Sequence, residues 1–192
     1  MSNGLFVTFP VAGYSTKNIT SFFGKRDTTN LPKGASSYHE GIDIAAPAGT
    51  GVLAALSGKV SYTGNSSAKG NYIIVDHGNG VQSEYAHLNN IGVRGGQSVV
   101  AGTQIGTVGS TGISSGNHLD FRIKVNGSYV DPTTYKPTAA QTGNAGLNGL
   151  LAGIGAGGKQ MNNINIDGII DAIKQNWYIV AGGILVIAIL TR

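Results

Sequence analysis

The sequence predicts an all-β, mostly antiparallel domain over residues 1–137, and three observations carry that prediction. From about Phe6 to Pro137, short apolar runs rich in β-branched and aromatic residues alternate with Gly, Asn and Pro. No stretch of this region shows a sustained helical apolar period. Composition agrees: Gly is 31 of 192 residues, about twice the usual ~7%, and charged residues are 11% against the ~25% of ordinary soluble domains.

The strand-length runs are Gly58–Tyr62, Asn71–Asp76, Val81–His87 and Gln104–Val108. Between the second and third lies His77-Gly78-Asn79-Gly80, a hairpin signal, because Asn-Gly tolerates the positive φ of tight hairpin turns. Residues 138–163 are dominated by Gly, Ala and Asn, with too little bulky side chain to bury, and are expected to form a linker. As a random coil of about 25 residues it would span roughly 25–30 Å. Leu147 to Ile154 could instead lie on a membrane or capsid surface.

Residues 164–192 begin with apolar residues at helical spacing and then become uncharged from Trp177 to Leu190. That run is shorter than the ~20 residues of an ordinary spanning helix, but Asn176 and Thr191 extend it. Trp177 and Tyr178 suit an interface, and Lys174 and Arg192 can snorkel at the ends. A C-terminal transmembrane helix is expected, with a buried core helix as the alternative. The stretch Met1–Val7 has no basic n-region and no long apolar h-region, so no secretory signal is expected.

The formal net charge of +4 favours polyanions such as wall teichoic acids or anionic lipid, but no dense Lys/Arg run points to nucleic acid. There is no Cys, which excludes disulfides, thiolate metal sites and a Cys nucleophile. A transition-metal site must draw on carboxylates and the four His.

Three short segments carry such groups. His39-Glu40-Gly41-Ile42-Asp43 offers an imidazole and a carboxylate around a Gly, both donor types that zinc accepts. In His118-Leu119-Asp120, a strand would point His118 and Asp120 to one face and Leu119 to the core. Tyr85-Ala86-His87-Leu88 places a His at a strand end.

Together with Thr20-Ser21-Phe22-Phe23-Gly24-Lys25-Arg26, Ile44-Ala45-Ala46-Pro47-Ala48-Gly49-Thr50 and Gly109–Leu119, these segments resemble the lysostaphin-type, or LytM-like, zinc metallopeptidases over about two-thirds of the chain. The resemblance implies an antiparallel β-sheet groove holding one Zn2+, with His39 and Asp43 as ligands and His87 and His118 flanking the metal-bound water. It further implies a peptidoglycan peptide as substrate. The family's last motif is His-x-His, its second His being the third ligand; here that position is Asp120. An Asp Oδ and a His Nδ1 lie equally far beyond Cβ, so Asp120 is expected to complete the set His39, Asp43, Asp120. Two carboxylates would cancel the charge of the ion, weaken it as a Lewis acid and make the site less selective for zinc.

Other residues are assigned plainer parts. His77, beside the Asn-Gly turn, is expected to be structural, and Glu40 to sit at the groove rim. Arg122 shares the face of Asp120 and either pairs with it, binds a substrate carboxylate or is an ordinary surface residue. Tyr85, two before His87, lines the groove or packs. The resulting expectation is a membrane-anchored zinc endopeptidase that cuts peptidoglycan. It would be carried by a phage particle with an internal membrane and contact its capsid proteins, or sit in a bacterial envelope. The alternative is a catalytically impaired wall-binding or structural protein.

Overall fold

A computed structural model describes residues 8–27, 29 and 33–137. The linker expected at 138–163 and the helical and membrane segment expected at 164–192 lie outside them. Among the described residues, no helix is long and apolar enough to cross a membrane.

After a single 3-10 turn at Thr16–Asn18, the described chain is built from strands. They are β1 Ile19–Ser21, β2 Gly24–Lys25, β3 Tyr38–His39, β4 Ile42–Ala45, β5 Gly51–Leu53, β6 Gly58–Ser66 and β7 Gly70–Asp76. Then follow β8 Val81–Leu88, β9 Asn90–Ile91, β10 Ser98–Val99, β11 Gln104–Thr107, β12 His118–Val125 and β13 Ser128–Val130. The main sheet has eight strands in the order β1-β4-β12-β8-β7-β6-β10, with β13 added to β12. A three-stranded sheet, β5-β11-β9, and a two-stranded ribbon, β2-β3, complete the architecture. All of these pairings are antiparallel, as expected from the sequence. The β7–β8 hairpin turns through Gly78, Asn79 and Gly80, each with positive φ (77°, 51° and 74°).

Period-2 alternation on β12 separates core from site. Leu119, Phe121 and Ile123 are essentially fully buried and join Ile42 and Ile44 of β4, Ile73 and Val75 of β7, and Val52 and Ile105 of the smaller sheet in one hydrophobic cluster. Each such side chain contributes about 1.5–3 kcal/mol of burial free energy. The intervening residues His118, Asp120, Arg122 and Lys124 therefore emerge on the opposite, polar face. A one-residue slip of β12 would exchange the two sets, so the core that fixes the fold also fixes the register of the site.

Candidate functional site

Register brings the two carboxylates together. Asp120 of β12 lies directly opposite Asp43 of β4 on one side and Ala86 of β8 on the other. His39 arrives from the β2–β3 ribbon, where it is paired with Gly24. The connection from His39 to Asp43 crosses β12 closely. A Cβ at Gly41 would fall 2.5 Å from the Phe121 carbonyl oxygen and from Arg122 Cγ, so only glycine fits between the two candidate ligands.

His39 Nε2 lies 3.2 Å from Asp43 Oδ1 and 3.4 Å from Asp120 Oδ1. One donor atom from each of the three residues falls within 4.8 Å of the others. The other ring nitrogen of His39, Nδ1, is 3.2 Å from Ser21 Oγ, and Ser21 pairs with Asp43 across β1 and β4. Tetrahedral bonds of zinc length, about 2.0–2.2 Å, separate their donors by ~3.3 Å. The two spacings around His39 match that value and the three donors lie within 4.8 Å of one another, so the set could hold a small cation.

The histidines His87 and His118 stand on one side of the cluster. His87 Nδ1 is 2.7 Å from the Thr111 carbonyl and His118 Nδ1 is 2.8 Å from the Gly116 carbonyl. A carbonyl only accepts, so each Nδ1 carries a hydrogen and each ring turns its Nε2 toward the carboxylates. His118 Nε2 is 3.7 Å from Asp43 Oδ1, His87 Nε2 is 3.9 Å from Asp120 Oδ2, and the two ring centroids are 4.7 Å apart.

The electrostatics follow from burial and pairing. Burial disfavours the His39 cation, but the Asp120 and Asp43 carboxylates outweigh it and hold its pKa above the ordinary imidazole value. Burial pushes the Asp120 carboxyl up, yet its bonds to His39 and Arg122 hold it well below the usual carboxylate range. For His87, burial dominates and, with His118 adding repulsion, lowers its pKa despite the Thr111 carbonyl.

Two arginines complete the site. Arg122 Nη2 donates to Asp120 Oδ2 at 2.7 Å, and its Nε is 3.1 Å from both Asp120 oxygens. Its Nη1 reaches Glu40 Oε2 at 2.9 Å, so Arg122 pairs with Asp120, and Glu40 holds the exposed rim as expected. Arg26 Nη2 donates to Asp43 Oδ2 at 2.6 Å. No part was expected for Arg26 beyond its place in the Gly24-Lys25-Arg26 run, because nothing in spacing tells that the ribbon aims it at β4. The whole cluster opens into a groove of about 640 Å³ whose walls include Phe23, Tyr38, Ala68 and Ser114.

Two other expectations meet the structure. His77 is buried away from the groove, with Nδ1 2.9 Å from the Ser57 carbonyl and Nε2 2.7 Å from Ser83 Oγ, a structural placement. Tyr85 packs rather than lining the groove: it is fully buried against Phe121, and its hydroxyl accepts from the Ala55 amide at 2.9 Å. The spacing of Tyr85 and His87 suggests a shared face, but His87 has φ +62° and leaves the strand's alternation.

Residues 37–132 match the sequence profile of peptidase family M23. The DD-carboxypeptidase/endopeptidase Mpg of Neisseria meningitidis serogroup B is 43% identical over 96 residues, 50% of this chain but 22% of that protein. The chain thus spans about a fifth of the length of that curated relative. Among solved structures, a zinc-containing peptidase from Vibrio cholerae aligns with TM-score 0.60 and 33% identity over 69% of this chain and 40% of the other. The catalytic domain of a prophage-encoded M23 protein, EnpA of Enterococcus faecalis, solved in a mutant form, aligns with TM-score 0.57 and 31% identity over 70% of this chain and all of the other.

Proposed function

Because the chain belongs to peptidase family M23, we propose that it is a zinc-dependent endopeptidase hydrolysing peptide bonds of bacterial peptidoglycan. One observation carries the reading: His39, Asp43 and Asp120 bring donor atoms within 4.8 Å of one another, with the Nε2 atoms of His87 and His118 beside the carboxylates. The named activity of Mpg supports the substrate class, and the zinc of the Vibrio protein supports the metal. When bound, zinc supplies Lewis-acid polarisation of the scissile carbonyl and acidifies water.

The chain's own residues do the rest. His39, Asp43 and Asp120 hold the metal, His39 being oriented by Ser21. His87, kept neutral by burial, takes the attacking water's proton at Nε2 and returns it to the leaving amine nitrogen. His118, anchored through Nδ1 to the Gly116 carbonyl, presents its other nitrogen to the developing oxyanion. The groove positions the peptide across these groups.

Membrane anchoring through residues 164–192 and use by a phage particle belong to the same proposal. The uncharged run Trp177–Leu190 supports the first, and the prophage-encoded relative supports the second. Immunodetection of the protein in purified particles and their lipid fraction tests this part. Finding it only in infected cytosol removes it.

The enzymatic claim is tested by digesting purified peptidoglycan with the full chain, with and without zinc and chelator. New amino termini in stem or cross-bridge peptides, lost on chelation, are the expected products. A second reading, wall-peptide binding without hydrolysis, is favoured by the bonds of Arg122 to both Asp120 oxygens, which compete with any cation. Sedimentation with intact walls and no product release would replace the first reading with the second.

A further inference from the structure

Resting on that reading, we propose that Arg26 and Arg122 set the metal selectivity of the site by limiting each carboxylate ligand to a single donor atom. Asp43 turns Oδ1 toward His39 while Arg26 occupies Oδ2. Asp120 is arranged similarly: Oδ1 faces His39 and takes one bond from Arg122, from Nε at 3.1 Å, while Oδ2 takes two, from Nη2 at 2.7 Å and Nε at 3.1 Å. The arrangement is thus repeated on two neighbouring strands with two unrelated arginines.

Both clamps are built into the fold. Arg122 is fixed by Asp120 below and Glu40 beside it, and its guanidinium lies 5.6 Å from the centre of the Tyr129 ring. Arg26 is delivered by the β2–β3 ribbon, where its amide bonds the Ser37 carbonyl at 2.9 Å. With the outer oxygens committed to the arginines, chelation through both oxygens of a carboxylate is disfavoured. Three single-atom donors suit a four-coordinate ion such as zinc. Manganese and calcium prefer six or more oxygens and commonly take carboxylates in the two-oxygen mode. The loss of selectivity that follows from adding a second carboxylate is therefore offset by the arginines. They also neutralise the two like charges that the register sets opposite each other.

The test compares zinc and manganese affinities of the full-length protein with those of Arg122→Gln, Arg26→Gln and Arg122→Lys. Zinc is measured by competition with a chromophoric chelator, and manganese by the paramagnetic resonance of the free ion. Removing a positive charge near a divalent site strengthens both ions alike and leaves their ratio unchanged. Releasing an oxygen favours manganese selectively. The expected result is a fall of at least tenfold in the zinc-to-manganese affinity ratio for Arg122→Gln and for Arg26→Gln. Arg122→Lys, which keeps the charge but not the forked geometry, should fall in the same direction. Unfolding of each metal-free variant establishes that it is folded before it is compared. If Arg122→Gln is folded and the ratio stays within twofold of the natural protein, the clamp is overturned while the zinc site stands. A parent protein that takes up neither ion would overturn the metal reading itself, and this inference with it.

Discussion

Gly41, between the two candidate ligands of the first motif, gives the sharpest test of how closely the site is packed. Its φ is not in the left-handed region, so alanine is not excluded by backbone conformation. The obstacle is steric. A Cβ there would lie 2.5 Å from the Phe121 carbonyl oxygen, about 0.9 Å inside the 3.4 Å at which ordinary contact begins, and 3.0 Å from Asp120 Oδ1. Phe121 cannot retreat, since it is paired with Ile42 on one side and Tyr85 on the other. Either the 39–43 connection lifts or Arg122 swings away from Asp120. Overpacking of this kind costs ~1–3 kcal/mol, and with backbone on both sides of the overlap about 2 kcal/mol is expected. For a domain of this size that lowers Tm by roughly 5–10 °C. Thermal and denaturant unfolding of metal-free Gly41→Ala measures the cost, and chelator competition measures zinc affinity, expected to weaken at least tenfold, about 1.4 kcal/mol. Gly116→Ala is the control, because nothing lies within 4 Å of its added carbon. If Gly41→Ala unfolds within ~0.5 kcal/mol of the natural protein and binds zinc equally well, the packing argument is wrong.

Three further outcomes follow from named groups. Burial lowers the pKa of His77, so the unfolded chain gains a proton below about pH 6.5 that the folded chain resists. Stability should therefore fall as pH drops from about 6.5 through the depressed folded value, and urea unfolding should show His77→Gln losing that part of the slope. Burial raises the Glu84 carboxyl, but Lys69, Tyr129 (2.8 Å) and Lys124 (3.2 Å) outweigh it and leave its pKa lowered. Its contribution is full above the ordinary glutamate pKa of about 4.3 and is lost as pH falls through the lower folded value. At neutral pH, Glu84→Gln should cost about 1–3 kcal/mol by urea unfolding, because two ammonium groups lose their shared partner. Substituting His87 or His118 by Ala should slow peptidoglycan hydrolysis about 10²–10⁴-fold while zinc stoichiometry stays unchanged; loss of the metal in either variant would make that residue a ligand instead.

Much of this architecture is legible in the chain because the long strands are two-sided. Leu119 and Phe121 alternate with His118 and Asp120, and that alternation alone assigns the faces of β12. The Asn79-Gly80 turn likewise declares itself through its demand for positive φ. The two-residue strands β2 and β3 carry no periodicity, so the ribbon that delivers His39 and Arg26 is invisible until the fold is seen. Tyr85 and His87 mislead for a related reason: alternation assumes an extended backbone, and the φ of His87 breaks it. Charge was the harder matter. Asp43 and Asp120 can be counted as two negative candidate ligands from the sequence, but their neutralisation by Arg26 and Arg122 depends on cross-strand geometry.

The most direct test of the central claim is native mass spectrometry of the full chain after zinc loading and desalting, beside Asp43→Asn and Asp120→Asn. One zinc per natural chain, lost in both variants, is the predicted result. A natural chain without zinc, or a zinc retained when either carboxylate is removed, would contradict the three-residue centre.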